Sequence, residues 1–244
     1  MNHPHNTSSE DGPTSLVPVI AHPEPPRAAA AVLLLHGGRA DALGPPPTPN
    51  LPGLRMRPFA SAISRNTALD DVLVAHVRYR HRGWNGHYAH PVADAQQALE
   101  ELRALTGAVP VVLVGHSMGA RAALRAAADP QVRGVIALAP WCPHDEPVAH
   151  LASRSIVALH DEADRVTHAT DTWSHLTRAQ NADAQVMGIR MPRGGHAMIR
   201  HAHLWHRVTA AATAALLGLT PLPADLARPS TWTGEPRPLQ DVTC

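Results

Sequence analysis

The 244-residue chain contains no lysine; its 21 strongly cationic side chains are all arginine. That excludes chemistry running through a lysine amine, such as a Schiff base, a pyridoxal-phosphate anchor or a P-loop. Aromatic residues make up only 3%, so alanine, valine and leucine must build the core. Cysteine is nearly absent too. Cys142 and Cys244 are the only two, and two cysteines form no disulfide framework. Net charge is close to balanced at +1, and no arginine cluster makes a nucleic-acid footprint. The longest apolar run, near Val208 to Leu219, has about 12 residues where a membrane-spanning helix needs about 20. The N-terminal MNHPHNTSSEDGP lacks the apolar core of a signal peptide. A cytoplasmic chain without stable membrane association is expected, with no nucleic-acid partner.

What is present has an organisation. Residues 1–15 are polar and expected to be disordered, and 221–244, with five prolines, are expected as an irregular tail. Between them, over 16–220, short apolar runs alternate with helical patterns. AAAAVLLLH (28–36), VLVAHVRY (72–79), VPVVLVGH (109–116), VRGVIALAP (132–140), SIVALH (155–160) and AQVMGIRMP (184–192) read as strands. Helices are expected over 57–68, 90–107, 118–129, 167–181 and 197–218. This alternation predicts an α/β fold, a mostly parallel twisted sheet with helices on both faces. The first strands are weakly marked, so the sheet is expected to be short on that side. Ligands of such sheets bind beyond the carboxyl ends of the strands.

Gly115-His116-Ser117-Met118-Gly119 stands at one of those ends, between a strand and a helix. This is the setting of a G-x-S-x-G nucleophile elbow. The turn is tight, a side chain at the −2 or +2 position would collide with neighbouring backbone, and the helix start turns free N–H groups towards developing negative charge. A serine hydroxyl needs a histidine to take its proton and an acid to orient that histidine. Two later loops offer them. Asp161, Glu162 and Asp164 follow SIVALH, with Asp145 in an earlier loop, and His196 follows AQVMGIRMP in PRGGHAM. Residues alone leave the acid open among these.

LHDEADRVT, PRGGHAM and LLLHGGRA together resemble segments of the α/β-hydrolase superfamily, among its small dienelactone-hydrolase-like and esterase-like members. The resemblance spans about 28–218. It implies Asp164 as the acid, three residues after a position usually held by glycine, which Asp161 occupies here. It also implies His196 as the base. The oxyanion donors would be the amide of Met118 and one from the loop His36-Gly37-Gly38-Arg39, Gly38 being favoured over Arg39. The implied activity is that of a serine hydrolase cleaving an ester, thioester or related acyl bond, with a small-molecule acyl substrate and no cofactor.

Only 14 residues, WCPHDEPVAHLASR, separate VRGVIALAP from SIVALH, too few for a large cap domain, so an open or loop-covered site is expected. Residues 39–56, with five prolines, form one such loop. A second carries Arg78, Arg80, Arg82 and Trp84; alternate arginines could grip a carboxylate or phosphate, and Trp84 an apolar portion. Arg39, Arg80 and Trp84 are thus the expected substrate contacts. Three competing readings carry different chemistry. Acyltransferases share the same acyl-enzyme, and a member of this fold can be a non-catalytic binding module. His196, His201, His203 and His206 crowd HAMIRHAHLWH but form no H-E-x-x-H pattern; a solvated helix face is expected there, and no metal.

Overall fold

A computed structural model describes residues 16–18, 27–224, 226 and 240–241. The segment 1–15 and nearly all of the tail beyond 226 lie outside the described residues. The strands are β1 (Leu16–Pro18), β2 (Ala30–Leu35), β3 (Val72–Val77), β4 (Val111–His116), β5 (Val132–Leu138), β6 (Ser155–His160), β7 (Gln185–Arg190) and β8 (Gln240–Asp241). The α-helices are α1 (Leu51–Asn66), α2 (His90–Thr106), α3 (Met118–Ala126), α4 (Ala169–Asn181) and α5 (Ala202–Leu216). The sheet order is β1-β3-β2-β4-β5-β6-β7-β8. Every pairing is parallel except that of β1 with β3.

The period of two in the strands sorts side chains to the two faces. On β2, Ala31, Leu33 and Leu35 join one core with α2, α3 and α4; Ala30, Val32 and Leu34 join the other with α1 and α5. All six residues of β2 are buried, as expected of a strand covered on both sides. The scarcity of aromatics is met by aliphatic packing, with Trp205 and Phe59 the largest fully buried side chains.

The helix expected over 197–218 begins only at Ala202, after a run of turns, and the structure departs from the sequence reading at three further places. The sheet is extended on its weakly marked side by β1, whose three residues are too few to carry a pattern and whose Pro18 is tolerated at an edge. Two residues of the proline-rich tail pair with Ile189–Arg190. Helix α1 begins at Leu51 rather than 57: the Asn50 side chain accepts the Gly53 N–H at 3.3 Å, and a proline fits the first turn, where no amide partner is needed. The covering loop is therefore 39–50. It is zipped onto the loop after β3 by Arg82 N–H to Gly44 O (2.9 Å), Asn85 N–H to Ala40 O (2.8 Å) and Ala42 N–H to the Asn85 side chain (2.7 Å). The connection from β5 to β6 carries only a short 3-10 turn at Ala149–Leu151, so no cap domain covers the sheet's carboxyl end.

Candidate active site

Ser117 sits between β4 and α3 with φ 55° and ψ −119°, a conformation that only tight surroundings maintain. Its N–H donates to Leu138 O at 3.0 Å, and its carbonyl accepts from Arg121 and Trp141 N–H, each at 3.2 Å. Both flanking glycines are required by close backbone. A Cβ at Gly115 would lie 2.6 Å from Ala120 N, and one at Gly119 would lie 2.5 Å from His36 O.

The loops after β6 and β7 bring the other two predicted residues to this serine. His196 Nε2 lies 3.0 Å from Ser117 Oγ, and its Nδ1 lies 2.8 Å from Asp164 Oδ2. With Nδ1–H donating to the carboxylate, the Nε2 lone pair faces the serine hydroxyl. The Asp164 carboxylate is wholly buried. Burial by itself would raise its pKa, but hydrogen bonds from His160, His196 and the Val166 N–H outweigh that and hold it well below the usual carboxylate range. Oδ1 takes the Val166 and Thr167 N–H groups at 2.8 and 3.3 Å, an Asx-type turn in which the acid orders its own loop.

The oxyanion donors fall where the loop after β2 meets α3. The Met118 amide is the first of α3 and has no partner inside the helix. The Arg39 N–H is already given to Arg82 O at 3.0 Å. Gly38 N–H makes no hydrogen bond among the described residues. A Cβ there would meet Met118 Sδ at 2.5 Å, so glycine permits this close approach. The loop is anchored by His36, whose Nδ1 bonds Gly37 O at 2.7 Å and whose Nε2 bonds the Asn50 amide at 3.0 Å.

The three expected substrate contacts have different surroundings. Arg39 is exposed beside Gly38. Arg80 Nε is 2.6 Å from the buried carboxylate of Asp94, which also accepts the Arg80 N–H. Trp84 is buried, with the Arg121 guanidinium 3.8 Å above its ring; that cation also lies 4.5 Å from Trp141 and 2.5 Å from the buried Glu146. Of the crowded histidines, His201 occupies the position just before α5 with left-handed backbone, His206 packs edge-on against Phe59, and His196 is the one that reaches the serine. Among the described residues no group of three or more His, Cys, Asp or Glu is arranged to hold a metal.

Several partners of the site escaped the sequence reading. Thr167 Oγ1 lies 3.1 Å from both His196 Nδ1 and Asp164 Oδ2. His160 Nε2 is shared between Asp164 Oδ2 and Thr167 O, both at 3.2 Å, while its Nδ1 bonds the Thr172 hydroxyl at 2.8 Å. His116 donates from Nε2 to His196 O at 2.9 Å; burial, then the nearby His196, lowers its pKa to about 3. Asp161 joins the acid and histidine loops. Only the Thr167 link had a legible signal, a hydroxyl residue three positions after an acid.

Residues 76–217 match the family model of the serine aminopeptidases, S33. No curated protein matches the sequence. Solved structures share the fold. An α/β serine hydrolase without lid from Xanthomonas campestris superposes with TM-score 0.53 at 21% identity, over 86% of this chain and 89% of that one. A protein of unknown function from Agrobacterium tumefaciens, described as an α/β hydrolase, gives TM-score 0.62 at 16% identity, over 80% and 88%. Esterase 2 of Thermogutta terrifontis, phosphorylated by paraoxon, gives 0.59 at 17% identity, over 82% and 87%. With more than half of its length matched by the family model, its sheet order and its uncapped site, the chain belongs to the α/β serine hydrolases of this family, as a small member without a lid.

Proposed function

We propose that the protein hydrolyses an ester, thioester or related acyl bond of a small molecule through Ser117, His196 and Asp164. The observation that carries this reading is the unbroken path from Ser117 Oγ to His196 Nε2 (3.0 Å) and from His196 Nδ1 to Asp164 Oδ2 (2.8 Å). Ser117 Oγ attacks the acyl carbon as His196 Nε2 takes its proton. Asp164 stays ionised, keeps the imidazole in the tautomer that accepts at Nε2, and stabilises the imidazolium. The tetrahedral oxyanion is held by the Met118 and Gly38 amides. His196 then returns the proton to the departing alcohol or thiol. Water, deprotonated by the same nitrogen, attacks the acyl-enzyme, and the acid leaves with Ser117 restored. Water is the acceptor in this reading; acyl transfer would pass through the same acyl-enzyme. Arg39, exposed beside Gly38, is the proposed contact for an anionic group on the substrate.

The Thermogutta terrifontis relative is phosphorylated by paraoxon, which motivates an organophosphorus probe as the test. A fluorophosphonate should label the wild-type protein at Ser117, and Ser117→Ala should lose both label and turnover of chromogenic esters. Asp164→Asn should keep Ser117 but slow kcat by about 10³–10⁴-fold. Equal labelling of Ser117→Ala would refute the mechanism.

A further inference from the structure

We infer that Asp161 is a positioning residue for His196, and that it clamps the histidine loop to the loop carrying Asp164. The inference rests on the triad proposed above. Asp161 follows β6 directly and is buried, with 4% of its surface exposed. Its Oδ2 accepts two backbone N–H groups from the histidine loop, Gly194 at 2.8 Å and Gly195 at 2.7 Å. Its Oδ1 accepts the Ala163 N–H at 2.8 Å, and its carbonyl accepts the Asp164 N–H at 3.0 Å. One residue therefore holds the backbone on both sides of the contact between Asp164 and His196.

The histidine loop needs such a hold. It follows β7 without joining another strand, and it bends through positive φ at Gly195 (61°), Met198 (55°) and His201 (53°). The latter two are L residues in the left-handed region, where their Cβ atoms are sterically disfavoured. Gly194 lies against Trp205, where a Cβ would meet the indole nitrogen at 2.6 Å, so the loop cannot carry a side chain there to anchor itself. Among the described residues the other hydrogen bond to His196's backbone comes from His116, to the His196 carbonyl. Asp161 grips the two amides immediately before His196, and an ionised acceptor makes those bonds stronger than neutral ones. A glycine at 161, the residue the resemblance leads one to expect, has no side chain and would leave both amides without this acceptor.

Asp161→Ala and Asp161→Asn separate positioning from general support. The asparagine keeps one oxygen for Gly194 and Gly195 but turns an amide towards Ala163. In Asp161→Ala, kcat for a chromogenic ester is expected to fall about 10–100-fold with KM within about twofold, because a small displacement of His196 weakens proton transfer without removing a substrate contact. Fluorophosphonate labelling of Ser117 should slow by the same factor, and Asp161→Asn should recover most of the loss. Amide exchange at Gly194 and Gly195 should quicken by about tenfold or more in Asp161→Ala, with α5 unchanged, and return towards the wild-type rate in Asp161→Asn, a readout independent of turnover. Wild-type labelling rates in Asp161→Ala, or unchanged exchange at the two glycines, would overturn the inference. Failure of the triad itself looks different: the wild-type protein would not be labelled at all.

Discussion

Replacing Gly119 by alanine would drive a methyl group into the end of β2. The new Cβ would lie 2.5 Å from His36 O and closer still to Leu35 O. Both are backbone oxygens, and neither can rotate away. Real Cβ contacts essentially never fall under 3.0 Å, so α3 must retreat from β2 by more than about 0.5 Å. Leu35 is held in register with Gly115 of β4, so the strand resists and the displacement falls on α3 and on residues 36–38. Those are the two sides of the proposed oxyanion hole. Overpacking should cost about 1–3 kcal/mol, and each kcal/mol lowers Tm by about 2–4 °C in a protein of this size. Separating the Met118 and Gly38 amides should lower kcat by about 10–100-fold, because such donors act only within a narrow range of distance. KM should change little. Steady-state hydrolysis of a chromogenic ester at a temperature well below Tm, with a thermal melt, reads both effects. Gly44→Ala is the control, since a Cβ there meets nothing within 4 Å. A Gly119→Ala protein that melts early yet keeps wild-type kcat would refute the link between this packing and the oxyanion donors.

Other perturbations test the electrostatics. Arg80→Ala removes the guanidinium paired with the buried Asp94 carboxylate and should cost about 1–3 kcal/mol of stability, seen in urea unfolding; a KM rise confined to carboxylate-bearing esters would instead give Arg80 a substrate role. Acid should destabilise the protein well before the carboxylates protonate. Burial, then His196, lowers His116 to about 3, and burial, then Arg178, lowers His175 to about 4. The unfolded chain binds their protons near pH 6.5 and the folded one does not. Stability is therefore complete above that pH and falls as pH drops towards the folded values, by up to about 1.4 kcal/mol per pH unit for each histidine. Asp164, whose folded pKa is lowered, adds a further loss only below its unfolded value of about 3.9. A Tm unchanged between pH 7 and pH 5 would contradict this.

The alternation of apolar runs with helical patterns determined the fold class by itself, because a parallel strand covered on both faces must be apolar along its length, as β2 is. The elbow was equally legible. Glycine at 115 and 119 answers a local steric demand, and local demands are written in adjacent residues. Asp164 and His196 were legible only by resemblance, since three acids crowd 161–164 and 18 histidines compete. Tertiary structure decided what depends on distant backbone. Arg39's amide is occupied because the loop after β3 folds across it. Trp84 stacks on Arg121 and Arg80 pairs with Asp94 because α2 and α3 pass beside that loop. Asp161, which the sequence presented as one of three rival acids, gains a separate role because two glycine amides, 33 and 34 positions away, converge on its carboxylate. Sequence spacing records which side chains are available; only the close approach of the β6 and β7 loops determines which backbone amides need an acceptor.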